Sequence, residues 1–167
     1  RPVLNSTAQL AGWRDLANET GDRLKAALQV DSGMSRMGLT PGEVEAIAAS
    51  NAALDGVDMT LVMSHLACAD EPANPANELQ RRNFEALRRQ LPDAPASFAN
   101  SSGIFLGQDY HFDLGRPGVA LYGVNPTPDH ANPMRPVMTL QAKVVQTRTV
   151  GAGIGVGYGY SLVTAGE

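Results

Sequence analysis

Along the first three quarters of the chain, two rhythms of apolar residues take turns. Short apolar runs at Val3-Leu4 and at residues 26–30, 59–63 and 96–100 read as strands, and a fifth is expected at 112–115. Between them the apolar positions recur with helical spacing. Ser6 is a good N-cap before a stretch whose Leu10, Trp13, Leu16 and Ala17 share one helical face. Thr40-Pro41-Gly42-Glu43 opens a second helix, with Thr40 as cap, Pro41 at the first helical position and Glu43 completing a capping box. Val44, Ile47 and Ala48 supply its apolar face. Asn74-Pro75 opens a third helix, with Leu79, Phe84, Leu87 and Leu91 facing inward. Its Arg81, Arg82, Arg88 and Arg89 read as a solvated face. Strands alternating with helices imply βαβ units and a parallel sheet.

The rhythm changes after Tyr122. Residues 125–136 hold four prolines and few large apolar side chains, and read as a linker. Residues 137–145 alternate like a strand. Five glycines at every second position from Gly151 to Gly159 follow, then Tyr160-Ser161-Leu162-Val163 and a turn at 164–166. This predicts a first unit at 1–124, a linker at 125–136, and the beginning of a β-domain at 137–167. The glycine spacing fails the dinucleotide-binding fingerprint, since the third glycine would fall on Val156 or Tyr158 and no helix pattern follows. Both ends of the chain, Arg1-Pro2-Val3 and Gly166-Glu167, read as cut, so an internal piece of a longer protein is expected.

Composition narrows the field. The 167 residues are 43% hydrophobic and 18% charged, the range of a globular protein. The net charge of −4 leaves no electrostatic footprint for nucleic acid. No apolar run approaches the ~20 residues of a membrane span. Cys68 is the single cysteine and cannot form an internal disulfide.

The candidate chemistry sits at the ends of the expected strands, where Asp31, His65, Asn100 and Arg116 occur in turn. In a (β/α)8 barrel or an open α/β sheet, ligands bind at those carboxyl ends. A whole barrel takes ~250 residues, so this chain would supply about half of one. On position alone, His65 serves equally well as a hydrogen-bonded structural histidine. Asn100-Ser101-Ser102-Gly103 can offer hydroxyls and backbone N–H groups to a phosphate, although serine and glycine are also ordinary turn residues. Arg116-Pro117-Gly118-Val119 offers a fixed cation beside a glycine backbone. Asp109, His111 and Asp113 alternate as metal ligands would, but a polar approach to a strand accounts for them better, and no metal is expected. His65 and Cys68 make a poor zinc pair, and His130 falls in the linker.

Taken together, these segments resemble one family. Residues 30–39, Val-Asp-Ser-Gly-Met-Ser-Arg-Met-Gly-Leu, are similar to the alanine racemase segment V-D-T-G-M-x-R-x-G. Residues 63–70, 99–104 and 116–123 resemble its next three segments, and Val156-Gly157-Tyr158-Gly159 resembles the start of its β-domain. The five segments occur in order over nearly the whole chain.

The resemblance implies an α/β fold: the C-terminal part of a pyridoxal 5′-phosphate-binding (β/α)8 barrel, followed by the start of an all-β domain. It implies racemisation of L- and D-alanine through an imine with the cofactor, a supply of D-alanine for peptidoglycan, and a cytoplasmic location. Racemisation needs a proton removed on one face of Cα and returned on the other. Tyr158 matches the family's tyrosine base, helped by a hydrogen-bond chain through His65 to Arg116. Arg116 matches the arginine that faces the pyridine nitrogen. As a donor that stays protonated, it keeps that nitrogen unprotonated and restrains side reactions such as transamination. Arg36 matches an arginine near the cofactor's phenolic oxygen and the substrate carboxylate. Ser101, with the backbone of Gly118 and Val119, matches part of the phosphate cup, and Asn100 lines the same pocket. Gln29 stands where many relatives carry a carbamylated lysine. It could hold Arg36 by a hydrogen bond, or an anion such as chloride could take the carbamate's place. The cofactor-binding lysine belongs before Arg1, so this piece alone is expected to be inactive. Family members are homodimers in which the tyrosine works in the partner's site.

Other readings stay open. One is a broad-specificity amino-acid racemase. A second is a non-catalytic cofactor-binding barrel, which the β-domain and Tyr158 argue against. A third is a related decarboxylase, which would place an acid where Arg116 stands. The last is a phosphate-binding α/β domain without the cofactor.

Overall fold

In the computed structural model, residues 1–50 and 52–165 are described. Four parallel strands form the central sheet in chain order, β1 (Val3–Leu4), β2 (Leu24–Gln29), β3 (Val57–Met63) and β4 (Ala96–Ser97). Parallel neighbours need a crossover. Here each is helical: α1 (Thr7–Thr20), α2 (Pro41–Ala48) and α3 (Ala76–Arg88). The parallel α/β architecture is as the pattern predicts. The β2–β3 ladder runs from Leu24↔Val57 to Gln29↔Met63, with a shift between Ala26 and Ala27. Val62↔Ala96 and Met63↔Ser97 then fix the register of β4. That register brings the carboxyl ends of β2, β3 and β4 to one rim.

Local signals set the helix starts. Ser6 Oγ accepts from the Gln9 N–H at 3.2 Å and caps α1. At α2 the reciprocal box is complete, with Glu43 N–H on Thr40 Oγ1 and Thr40 N–H on Glu43 Oε2 at 3.3 and 2.8 Å. Those bonds from Thr40, backbone first and hydroxyl second, hold the Glu43 carboxyl below its ordinary value. Beneath the helices, Leu10, Val44, Ile47, Phe84 and Leu87 pack on Leu28, Val30, Val62 and Phe98 of the sheet and its extensions. Phe84 and Phe98 are fully buried and stacked at 5.0 Å, with Phe112 edge-on to both. Such aromatic pairs add about 0.5–1.5 kcal/mol beyond the area they bury.

Several expected positions differ. Leu16 is exposed on α1, Ala48 is exposed on α2, and Leu79 is 61% exposed on α3. The buried stripe of α3 is Asn77, Gln80, Phe84 and Leu87. Apolar periodicity passes over Gln80 because an amide is buried only when distant partners satisfy it. The arginines expected on a solvated face do lie there at Arg82 and Arg89, which are exposed, and they are paired. Arg81 pairs with Glu78 and Glu85, Arg82 with Glu78, Arg89 with Glu85, and Arg88 lies over the Phe112 ring.

No fifth strand forms at 112–115. Phe112 makes one antiparallel bridge to Ser97, and its φ of 50° breaks an extended run. Residues 137–145, read as a strand, form none. A strand needs a partner for its N–H and C=O groups, and among the described residues none is supplied. Val137, Met138, Leu140, Val144 and Val145 are exposed there. The antiparallel β structure in this part is the short hairpin of β5 (Gly155–Val156) and β6 (Leu162–Val163). Among the described residues no α-helix follows the glycine run, which ends in a 3-10 turn at Tyr158–Tyr160. The turn expected at 164–166 falls partly outside the described residues.

Candidate active site

Three chain segments meet at the rim. The loop after β3 carries His65, the loop after β4 carries Asn100 and Ser101, and residues 113–118 are tied back onto β4. The Asp113 and Leu114 N–H groups both donate to Ala96 O, and the Arg116 N–H donates to Ala99 O at 2.9 Å. Asp113 Oδ2 accepts from the Ala96 N–H at 2.7 Å. The result is a cavity of about 270 Å³ lined by His65, Asn100, Ser101, Ser102, Arg116, Gly118 and Val119.

Each lining group is oriented by neighbours. Asn100 reaches both ways, Nδ2 donating to Leu66 O at 3.3 Å and Oδ1 accepting from the Gly103 N–H at 2.9 Å. Ser101 is buried, and its Oγ accepts from the Gly118 and Ala120 N–H groups at 2.8 and 3.3 Å. Among the described residues no acceptor takes its own hydroxyl proton. Arg116 donates from Nη1 to Ser97 Oγ and from Nη2 to the Ser64 carbonyl. Burial lowers the Arg116 pKa from its ordinary value, yet a guanidinium remains a cation. Burial likewise pushes the His65 imidazole below its ordinary value, and the charges of Arg116 and Arg36 act in the same direction. The fold thus favours the neutral form of His65. Among the described residues, no carboxylate lines the cavity. The chemistry on offer is cationic and rich in donors, suited to an anionic group and to a ring acceptor.

Residues 1–126 match the family described as alanine racemase, N-terminal domain. The chain belongs to the alanine racemase N-terminal domain family. It is 64% identical over 151 residues to the catabolic alanine racemase of Mesorhizobium japonicum, across 90% of this chain and 40% of that protein. It is 51% identical over 152 residues to the catabolic alanine racemase of Agrobacterium fabrum, across 91% of this chain and 39% of that protein. Among solved structures, it is similar to the alanine racemase of Bartonella henselae with covalently bound pyridoxal phosphate, at 39% identity and a TM-score of 0.84. That likeness covers 99% of this chain and 46% of the other. The chain thus spans about 40% of the length of the curated relatives it matches.

In this alanine racemase domain, the residues singled out from sequence fall into two sets. His65, Asn100, Ser101, Arg116, Gly118 and Val119 line one cavity. Arg36 does not line it. Arg36 is exposed on the loop between β2 and α2, close enough for its charge to act on His65. That loop folds back on β2, with the Asp31 N–H on Leu39 O and the Leu39 N–H on Gln29 O, both at 2.8 Å. Gly38 permits the return. Its φ is +112°, and a Cβ there would lie 2.8 Å from the Val30 carbonyl carbon. Gln29 Nε2 donates to Met37 O at 3.3 Å in this loop, and among the described residues Gln29 accepts no hydrogen bond from Arg36. Tyr158 is fully exposed and stands outside the cavity. The chain's lysines, Lys25 and Lys143, are exposed and do not line it either. His111 donates from Nε2 to Ile104 O at 2.8 Å, and His130 is exposed. Among the described residues, no group of three metal-ligating side chains forms.

Sequence reasoning missed the polar layer beneath the cavity. Ser32, Ser64 and Ser97 are buried after β2, after β3 and at the end of β4, and the Ser32 and Ser64 hydroxyls lie 2.7 Å apart. From α3, Gln80 clamps the loop that carries His65, donating to His65 O at 3.1 Å and accepting from the Ala67 N–H at 2.9 Å. Asn83 donates to Ser32 O at 3.1 Å. The available signal was polar residues on the buried stripe of an otherwise amphipathic helix.

Proposed function

We propose that this chain is the C-terminal part of the (β/α)8 barrel of an alanine racemase and the start of its β-domain. Residues 125–136 are the linker, and the complete protein interconverts L- and D-alanine. The observation that carries the reading is the gathering of His65, Asn100, Ser101, Arg116, Gly118 and Val119 around one acid-free cavity at the carboxyl ends of parallel strands.

Pyridoxal 5′-phosphate is the cofactor, and the residues present fit it. Ser101 can donate its hydroxyl proton to a phosphate oxygen, beside Asn100 and the Gly118-Val119 backbone. Arg116 offers the pyridine nitrogen a donor and no acceptor. When bound, the cofactor supplies an electron sink that acidifies the Cα–H of alanine. Arg116 keeps the ring nitrogen unprotonated, which limits the sink and restrains side reactions. An acid at this position would do the opposite, so the absence of carboxylates in the lining favours a racemase over a decarboxylase. His65, in its neutral form, can accept a hydrogen bond on one ring nitrogen and donate from the other. It can therefore connect Arg116 to the phenol of a tyrosine base. Arg36 serves the substrate carboxylate from the rim.

Tyr158 is the base on one face of Cα. Its full exposure supports a role in the site of a second protomer, so the active protein is a homodimer. Neither lysine of this chain reaches the cavity, so the second base and the covalent anchor come from the rest of the protein, and this chain alone does not racemise alanine. The family resemblance carries the cytoplasmic location included in this reading. Interconversion runs both ways, so it can supply D-alanine for peptidoglycan or feed it into breakdown. The word catabolic in the names of two relatives supports the second use.

The test is D-/L-alanine interconversion with added pyridoxal phosphate by the full-length protein and its Tyr158→Phe variant. The full-length protein racemises, and the variant loses about 10²–10⁴-fold in rate, the range of a positioned general base. A full-length protein that binds the cofactor and racemises no amino acid would overturn the proposal.

A further inference from the structure

Arg116 is held in an unusual way. Its guanidinium meets neutral acceptors, Ser97 Oγ and the Ser64 carbonyl, and among the described residues no carboxylate pairs with it. The two acceptors engage different terminal nitrogens, and two bonds to a planar fork fix its plane as well as its place. Ser97 is fully buried, and its hydroxyl has a second duty, donating to Leu114 O. With its single proton spent on Leu114, the oxygen can only accept from Arg116. One hydroxyl thus staples both the side chain of Arg116 and the backbone two residues before it.

We propose that Ser97 is a positioning residue for the reaction. Its hydroxyl, with the Ser64 carbonyl, sets the direction in which the Arg116 guanidinium faces the cavity, and does so without neutralising its charge. The inference rests on the reading of Arg116 as the group that faces the pyridine nitrogen. A carboxylate would hold an arginine more tightly, but it would also compensate the charge that the cavity presents. Two neutral acceptors fix geometry and leave the cation for the ligand. The rim residues His65 and Ser101 then meet a guanidinium of defined orientation.

The experiment compares wild type, Ser97→Ala, Ser97→Thr and Arg116→Gln in the full-length protein, after circular dichroism confirms that each is folded. Two quantities are read: kcat/KM for racemisation, and the midpoint of the His65 imidazole titration by NMR in the cofactor-free protein. In Ser97→Ala, kcat/KM falls about tenfold to a hundredfold, the cost of a misplacement near 1 Å. The His65 midpoint rises part of the way toward that of Arg116→Gln, because the repelling charge is no longer pinned beside it. Ser97→Thr, which keeps the hydroxyl, stays within about threefold of wild type. If Ser97→Thr does not fold, the partial rise of the His65 midpoint in Ser97→Ala decides alone. If Arg116→Gln moves both readouts and Ser97→Ala moves neither, the positioning role is wrong and the reading of Arg116 stands. If Arg116→Gln moves neither, the reading of Arg116 fails and this inference fails with it.

Discussion

Residues 1–124 and residues 125–165 obey different accounting. In the first region every strand of the sheet has a neighbour, and every helix lays an apolar stripe on it. The βαβ connections are local, so each face is covered by an element within a few tens of residues in the chain. In the second region the large apolar side chains are exposed, with Leu140 at 96%, Val145 at 98% and Tyr158 at 102%. Its regular β structure is a hairpin of two paired positions, Gly155↔Val163 and Val156↔Leu162. The second region is richer in proline and glycine, but that alone does not separate them. Strand-like alternation of apolar and polar residues occurs in both, at 57–61 and at 137–145, but only the first region contains the elements that cover its own apolar faces. A region of that kind carries the fold and holds the cavity. The other carries a tyrosine whose use depends on what it packs against.

This contrast can be broken or sharpened by experiment. The largest effect falls in the first core. Phe84→Ala removes a ring stacked on Phe98 and edge-on to Phe112, and costs about 3–5 kcal/mol in denaturant unfolding. A loss below 1 kcal/mol would mean that the aromatic cluster is not the centre of this region. A smaller effect belongs to pH. His65 has its pKa lowered in the fold by burial and by the charges of Arg116 and Arg36, so the unfolded chain binds the proton more readily. Stability is therefore unaffected above about pH 6.5, the unfolded value, and declines as pH falls from there through the folded value. His65→Asn removes this slope, and unfolding free energies measured across that window show the difference. The smallest effect lies in the second region. Leu140→Ser changes unfolding free energy by less than about 0.5 kcal/mol in the isolated chain, as expected of an exposed position. A clear destabilisation in the full-length protein would show that residues beyond this chain cover Leu140.

Much of the first region is legible from short stretches of chain. Ser6, Thr40 and Glu43 act on their own helix ends, so their motifs carry over directly into the observed caps. The strand ends bearing His65 and Asn100 are marked by apolar runs that stop at polar residues. The family segments add Arg116, Ser101, Gly118 and Val119, all of which line the cavity. What escaped is polar and distant. Gln80 is buried because of a carbonyl and an N–H in another loop, 15 and 13 residues away. Ser97 is important through an arginine 19 residues further on. Nothing in the spacing of apolar residues marks either. The alternation at 137–145 misled for the complementary reason. It records a side chain's preference for a pleated surface, but not whether a partner strand is present.

By itself, the sequence determined the helix caps, the βαβ order and the identity of the groups at the strand ends, because these depend on contacts within a few residues. The tertiary structure alone decided which polar side chains are buried, how Arg116 is held by Ser97 and Ser64, and that burial and two cations push the His65 imidazole below its ordinary value. It also decided that Tyr158 stands away from the cavity. Desolvation, charge–charge repulsion and hydrogen-bond satisfaction act through space between segments far apart in the chain, and only the folded arrangement sets those distances.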